Sequence, residues 1–338
     1  MKVQLNQLVT KYSVLVLGGS GFIGRHVVTA LLKQGHHVVI GSRHPKRISK
    51  KLPQAALHCQ RHAVQMEKQL DAAAWNTPLN GIDVVINCVG ILRQRGRETY
   101  TRVHHQSVAW LAESCRQKNI RLIHVSALGL ENNVTSRFLK SKLEGENALR
   151  ASGADWRIVR PSLLDGEGGY GAKWIRRVAH WPIVFLPADA KGKIAALDVA
   201  ELGEAIAKLA VTHIASECNP NAREFELGGT QAQSLSDLIA AMRRLHSPKP
   251  AIHIAIPAFI ARAVSHLCDL IHITPYSFGH YQLLRHDNAP RVNRLAELLG
   301  RAPMIIGSHE NSFSTIRDHP MISPIKINCK NIYTLFLH

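Results

Sequence analysis

The chain has 338 residues, an ordinary hydrophobic share of 46% and a net charge of +18, so it is long enough for one large domain or two smaller ones. It has neither the apolar run of about 18 residues that a membrane-spanning helix needs nor a segment typical of a secretory signal. The six cysteines form no CxxC pair and the 20 histidines show no ligand spacing, so we expect free thiols and no metal site.

The positive charge is concentrated in the first half of the chain. Residues 1–150 carry 22 Lys and Arg against 8 Asp and Glu, whereas residues 151–338 carry 20 against 16. This excess suits an anionic ligand, an anionic membrane surface or nucleic acid, and a generally basic protein without such a partner is the alternative. No zinc finger, helix-turn-helix or aromatic-interleaved basic motif is present, so we do not expect nucleic-acid binding.

Strand-like and helix-like runs alternate through residues 13–162. The predicted strands are 13–17, 37–41, 57–62, 83–90, 120–126 and 155–162. The predicted helices are 22–35, 103–118 and 135–152. This alternation is typical of a parallel sheet covered on both faces, and it predicts a Rossmann-like, doubly wound α/β fold.

The pattern changes after Pro161, where glycines and prolines cluster over 166–192. Shorter elements follow, namely strands at 193–197, 224–229 and 251–257 and helices at 198–210, 233–245 and 257–270. We therefore predict a Rossmann domain over 1–162, which the strand at 193–197 could join, a smaller mixed α/β domain over 163–303, and an irregular tail over 304–338. Asp198 is expected to cap the helix that it precedes.

The first strand runs directly into the glycine turn "GGSGFIG" (18–24), and a helix follows. Gly18 permits the sharp turn, Gly21 leaves room for a phosphate, and Gly24 lets helix and strand pack closely. The helix N-terminus presents free N–H groups to an anion. This context predicts a dinucleotide site that includes Phe22 and Ile23, with a merely structural glycine turn as the alternative.

The end of the second strand indicates which dinucleotide would bind. It reads "IGSRHPKR" (40–47), without the acid that an NAD site usually places there for the ribose hydroxyls. Ser42, Arg43, Lys46 and Arg47 instead offer a hydroxyl and cations that suit a 2′-phosphate. We predict NADP(H) in preference to NAD(H), and a solvated basic loop with mixed cofactor use is the alternative.

Five motifs together resemble a known family. They are GGSGFIG (18–24), NCVG (87–90), VSALG (125–129), FLKSK (138–142) and RPSLLDGEGG (160–169). Their order and spacing over about residues 12–300 resemble the extended, atypical short-chain dehydrogenase/reductases of the epimerase/dehydratase superfamily. The resemblance is strongest to the branch that contains the NAD(P)H-binding accessory subunit of respiratory complex I and its bacterial relatives.

The resemblance implies a Ser–Tyr–Lys catalytic set, in which the tyrosine transfers a proton while the lysine lowers its pKa and holds the nicotinamide ribose. Ser126 and Lys142 match two of these positions, but Phe138 stands at the tyrosine position. A phenyl ring cannot transfer a proton. We expect no replacement from Tyr100, which precedes another helix, while Tyr170 on a later loop stays a weaker alternative.

Further positions follow from the same resemblance. Gly90, at the end of the fourth strand, would lie against the cofactor ribose. Pro161 and Ser162, after the sixth strand, would lie near the nicotinamide, and a plain strand end with a turn is the alternative. His104 stands where many relatives carry an asparagine.

Two functions are compatible with these residues. In the first, NAD(P)H is a structural or sensing cofactor of a protein linked to respiratory or quinone metabolism. In the second, the chain is an active NADP-dependent reductase, or an epimerase or dehydratase of the sugar-nucleotide type, with a non-tyrosine proton donor. Phe138 favours the first. The remaining partner is a small-molecule substrate or a protein, and we expect a cytoplasmic location, with attachment to the inner face of an anionic membrane as an alternative.

Overall fold

The computed structural model describes residues 10–46, 52–130, 135–212, 220–271 and 278–307. The strands are β1 (Ser13–Leu17), β2 (His37–Ser42), β3 (Gln60–Ala63), β4 (Val84–Asn87), β5 (Arg121–Val125), β6 (Trp156–Pro161), β7 (Leu164–Asp165), β8 (Ile183–Pro187), β9 (Lys193–Ile194), β10 (Leu197–Asp198), β11 (Glu224–Leu227), β12 (Gln233–Ser234) and β13 (Ile252–Ile256). The helices are α1 (Gly24–Lys33), α2 (Ala73–Asn76), α3 (Ser107–Gln117), α4 (Arg137–Ala151), α5 (Tyr170–Ala179), α6 (Val199–Val211), α7 (Leu235–Arg244), α8 (Ala258–Ile271), α9 (Phe278–Arg285) and α10 (Leu295–Leu299).

Seven parallel strands form the main sheet, in the order β11-β6-β5-β4-β1-β2-β3. Strands buried on both faces need continuous apolar runs, and β1 meets this need because Val14–Leu17 are fully buried. The side chains of Val14 and Val16 pack with α1, α6 and α10, whereas those of Leu15 and Leu17 pack with α3 and α4. The predicted doubly wound, Rossmann-like fold is confirmed.

The seventh strand of this sheet is β11, which pairs in parallel with β6. The prediction that 193–197 joins the sheet is wrong, because that segment forms β9 and the start of β10, which pair with β12 and β7 instead. Phe225 and Leu227 of β11 are buried while Glu224 and Glu226 stay partly exposed. This alternation suits the edge of a sheet that is covered on one face.

Smaller elements lie beyond the sheet. α5 and α7 share a third apolar core with β8 and β9, and β8 pairs in parallel with β13. No helix within the described ranges is long and apolar enough to cross a membrane. Of the predicted irregular tail, residues 304–307 have no regular structure, and 308–338 lie outside the described residues.

The strands position the site by where they end. Because β1, β4, β5 and β6 are parallel, the residues that follow them meet at one edge of the sheet. These residues are Gly18 after β1, Gly90 beyond β4 and Ser126 after β5, beside Pro161 at the end of β6. Ligands of doubly wound sheets bind at this carboxyl edge.

Candidate functional site

The glycine turn is closed on one side and open on the other. Gly18 has a φ of +72°, and its N–H donates to the Gly41 carbonyl at 2.8 Å. A Cβ on Gly24 would lie 2.2 Å from the Gly18 oxygen, whereas a Cβ on Gly21 would meet only that oxygen within 4 Å, at 3.0 Å. Gly24 thus serves helix–strand packing, and Gly21 leaves an approach to the backbone that fits a diphosphate.

A loop from the smaller part of the chain borders the same turn. The Phe22 ring packs so closely on Gly169 that a Cβ there would lie 2.7 Å from Cζ. Arg25 donates from Nη2 to the Glu167 carbonyl. The first turn of α1 contains no acid, and the N–H groups at a helix start lack intrahelical partners. The backbone N–H groups of Phe22 and Ile23 can therefore donate to an anion. The Phe22 side chain does not take part, because it packs against Gly169 of the loop.

The corner where β2 ends contains an acid that the local sequence does not reveal. Arg43 Nη1 lies 2.5 Å from Oε1 of Glu98, which lies 55 residues further along the chain. The Arg43 side chain is 59% exposed, so this ion pair is weak and can be exchanged for a ligand phosphate. Ser42 ends β2 beside it and Lys46 is exposed, while Arg47 lies outside the described residues.

The position expected for the proton donor is occupied by a phenyl ring. Phe138 and Lys142 lie one turn apart on α4, with the Lys142 Nζ 5.9 Å from the centre of the Phe138 ring. The same Nζ lies 3.9 Å from where a Cβ on Gly90 would stand. Ser126 Oγ is buried and has no hydrogen-bond partner within the described part of the chain. A buried hydroxyl without a partner is suited to a ligand oxygen.

His104 connects these residues through a chain of hydrogen bonds. It lies in a π-helical turn over Thr101–Gln106, a feature frequent at functional sites. Nε2 accepts from the Ile91 N–H at 3.0 Å, so Nδ1 carries the proton and donates to Ser141 Oγ at 3.0 Å. Ser141 in turn donates to the Phe138 carbonyl at 2.8 Å. The neutral His104 side chain therefore connects helix α4 to the loop that follows β4.

Tyr100 lies at this site, contrary to the expectation from sequence. Its ring stacks on His104 with centroids 5.6 Å apart and meets Phe138 edge-on with centroids 5.7 Å apart. Its hydroxyl donates to the Leu92 carbonyl at 2.9 Å. The i, i+4 spacing of Tyr100 and His104 was the available signal, because such residues share one helical face. Tyr170 begins α5, and its side chain is not described.

Burial sets the charges of the site. It lowers the pKa of Lys142 to about 8, and Glu146 opposes this shift. Burial, followed by repulsion from Lys142, lowers the pKa of His124 to about 3 and that of His104 well below its ordinary value. At neutral pH both imidazoles are neutral, and Lys142 is a cation close to its pKa.

Nucleotide affinity is expected to fall as the pH rises from about 7 to about 9.5. The ammonium of Lys142, with a pKa of about 8, favours an anionic dinucleotide only while it is protonated, and the two imidazoles do not titrate in this range. Calorimetric titration with NADPH across this pH range measures the effect. Lys142→Met should bind more weakly and independently of pH, whereas Lys140→Met, at an exposed position of the same helix, should behave as wild type. An unchanged pH profile in Lys142→Met would contradict the assignment.

Two of the remaining predicted residues have structural partners. Asp198 caps α6 by accepting from the Ala200 N–H at 2.7 Å and the Glu201 N–H at 3.2 Å, as expected. Ser162 donates to the side-chain oxygen of Asn288 at 2.9 Å. Pro161 ends β6 in register with Leu227 of β11.

Within the described ranges, no group of three or more His, Cys, Asp or Glu side chains is placed to hold a metal ion.

Known proteins match different parts of the chain. Ceramide reductase of Caulobacter vibrioides is 29% identical over 164 residues, which cover 46% of this chain and 47% of that protein. The mitochondrial NADH-ubiquinone oxidoreductase 40 kDa subunit of Neurospora crassa is 23% identical over 258 residues, which cover 75% of this chain and 65% of that one. The chain thus spans about half to two thirds of the length of these relatives.

The chain also matches a solved structure and a protein family. UDP-glucose 4-epimerase of Thermus thermophilus, solved in complex with NAD, has 19% sequence identity and a TM-score of 0.54, over 72% of this chain and 86% of its own. This likeness shows the shared fold. The NAD(P)H-binding family matches residues 18–210, from the glycine turn to the end of α6. The chain therefore belongs to the NAD(P)H-binding family.

Proposed function

We propose that this chain holds NADP(H) as a structural or sensing cofactor and does not turn it over. The observation that carries the proposal is Phe138, whose ring stands beside the buried Lys142 where the family's reaction needs a phenol. The likeness to a subunit of NADH-ubiquinone oxidoreductase supports a role linked to respiratory or quinone metabolism. We place this role in the cytoplasm, at the inner face of a membrane.

Two features support nucleotide binding. The approach at Gly21 is open, and Lys142 lies beside Gly90, where the family resemblance would put the nicotinamide ribose. A nucleotide present at about 100 times its Kd would add about 2.7 kcal/mol to the free energy of unfolding. That amount is a substantial part of the 5–15 kcal/mol free energy of unfolding that is typical of a domain. Nucleotide occupancy alone would therefore change the stability of the protein and with it the protein's lifetime.

Two measurements on the native protein test this function. Mass spectrometry under native conditions should find NADP(H) bound to the protein as purified, and thermal unfolding of protein freed of that nucleotide should shift upward on adding NADPH. Oxidation of NADPH with a panel of carbonyl compounds should stay near the background rate. Rapid turnover of NADPH would refute the proposal.

The preference for NADP(H) rests on Arg43 and is opposed by Glu98. We expect Arg43→Ala to lower NADP(H) affinity by about tenfold, as for the loss of one charge-assisted hydrogen bond, and to change NAD(H) affinity little. Glu98→Gln should raise NADP(H) affinity, because it frees the Arg43 guanidinium from its ion pair. Calorimetry with both nucleotides measures these effects. Tighter binding of NAD(H) that Arg43→Ala leaves unchanged would remove the preference.

A second candidate is an active NADP-dependent reductase, or an epimerase or dehydratase, in which Tyr100 supplies the proton. The edge contact between the Tyr100 and Phe138 rings favours it, since it brings a tyrosine ring next to the position that lacks one, with its hydroxyl on the Leu92 carbonyl. The likeness to ceramide reductase points to a lipid-derived carbonyl compound as the substrate in that case. Activity that Tyr100→Phe abolishes would support this candidate over the first.

A further inference from the structure

The pair of strands β8 and β13 exposes an apolar face. Val184 of β8 is buried in the third core, whereas Ile183 and Phe185 point to the other side and are exposed. Their register partners are Ile252 and Ile254, which are exposed as well. Paired residues of adjacent strands share one face of a sheet. Four large apolar side chains therefore form one solvent-facing patch.

Helix α8 follows β13 directly in the chain, after Pro257, and exposes a second apolar face. Phe259 is 74% exposed, and Ile260, Val264 and Leu267 are exposed at helical spacing. The opposite side of the helix is buried at Ala261 and Ser265. A helix with an exposed apolar face is typical of one that lies in a membrane interface.

The charge around this surface distinguishes among possible partners. Residues 170–193 and 244–271, which include all of β8, β13 and α8, carry eight Lys and Arg against two acids, Asp189 and Asp269. Asp189 is itself engaged, because it accepts from the Tyr281 hydroxyl at 2.6 Å and pairs with Arg285 at 2.9 Å. A second copy of the chain would bring the same cations face to face. An anionic lipid surface complements both the charge and the apolar face, since each cation near it contributes about 1 kcal/mol.

We propose that β8, β13 and α8 dock on the surface of an anionic lipid bilayer. This surface, called the docking face, consists of Ile183, Phe185, Ile252, Ile254, Phe259, Ile260, Val264 and Leu267, with Arg262 among the cations. The assignment rests on the membrane attachment included in the proposed function, and it names the residues that make it. Arg93 donates to the Cys268 carbonyl at 3.0 Å. This hydrogen bond connects α8 to the loop that carries Gly90.

Vesicle flotation tests the docking face on the full chain. Vesicles of phosphatidylcholine with about a third phosphatidylglycerol are compared with pure phosphatidylcholine, at low and high salt. Phe259→Ser should weaken flotation by about tenfold or more, as for keeping one phenylalanine side chain out of an apolar phase. Arg262→Glu should weaken flotation strongly at low salt and little at high salt, because salt screens the charge.

Matched variants lie outside the docking face. Trp110→Ser removes an exposed aromatic side chain from α3, and Lys118→Glu makes the same charge change as Arg262→Glu at another exposed position. The first should float as wild type, and the second should lose much less than Arg262→Glu. NADPH binding should be equal in all four variants, which separates a failure of docking from a failure of the proposed function.

Three outcomes would overturn the proposal. The wild type could fail to float with anionic vesicles at low salt. Phe259→Ser could float as well as Trp110→Ser, which would leave the overall charge as the only cause of binding. Finally, analytical ultracentrifugation could show a dimer that Phe259→Ser dissociates while vesicles bind neither form, which would assign the face to a second copy.

Discussion

Replacing Phe138 by tyrosine is expected to raise NADPH-dependent reduction of carbonyl compounds by roughly 100- to 10,000-fold, the range of general acid–base assistance. The ring already has its place against Tyr100 and His104, so the fold should accept one more hydroxyl. Lys142 lies one helical turn away, and its positive charge would lower the pKa of the new phenol. Initial rates of NADPH oxidation with a panel of aldehydes and ketones measure the gain.

Three controls separate the phenol from other causes. Phe138→Leu should be as inactive as wild type, and adding Lys142→Met to Phe138→Tyr should remove the gain. Tyr100→Phe should leave a near-background native rate unchanged. High native activity that survives Lys142→Ala would show that a different proton donor operates, and the site assignment around Ser126, Phe138 and Lys142 would then be wrong.

Changing Gly21 to valine is expected to abolish detectable nucleotide binding while the sheet stays folded. The new Cβ would meet only the Gly18 oxygen, at 3.0 Å, which a small shift of the exposed turn can relieve, but its methyl groups would occupy the approach to the backbone. Calorimetry with NADPH should detect no binding, and thermal unfolding should remain cooperative without any upward shift on adding NADPH. A persisting shift would mean that the turn is purely structural.

Gly24 provides the matched contrast. Its Cβ would lie 2.2 Å from the Gly18 oxygen and 2.8 Å from the Gly19 Cα, and neither backbone atom can move without separating α1 from β1. Gly24→Ala should therefore lower the free energy of unfolding by about 1–3 kcal/mol or more, the usual cost of overpacking. The two glycines would thus separate the binding role of the turn from its packing role.

Local sequence patterns predicted the structural features that depend only on residues close together in the chain. The buried run of β1, the glycine turn and the apolar spacing of α1 each follow from a few adjacent residues, and the cap at Asp198 does as well. Helix α5 was missed because glycines and prolines surround it at 166–192, although Ile175 and Val178 keep helical spacing and are buried. Flanking turn residues concealed a helix that its own apolar face specifies.

Pairings across long stretches of sequence could not be read in this way. β11 joins β6 from about 65 residues further along the chain, and its alternating sequence fits an edge strand of either part. Glu98 forms an ion pair with Arg43, and the Tyr100 ring contacts the Phe138 ring. Both contacts arise because loops and a π-helical turn end at the same edge of the sheet. The positions of Glu98 and Tyr100 beside these two residues were therefore found only from the fold.

The most direct test of the central claim follows the fluorescence of NADPH mixed with the native protein, freed of any nucleotide bound on purification, before and after a panel of carbonyl compounds is added. We predict that the signal changes on mixing, as expected for a nucleotide entering a protected site, and then persists at the background rate of decay. Absence of any change on mixing would contradict the claim that the chain holds the cofactor. A rapid loss of signal that depends on Lys142 would contradict the claim that the cofactor is held without turnover.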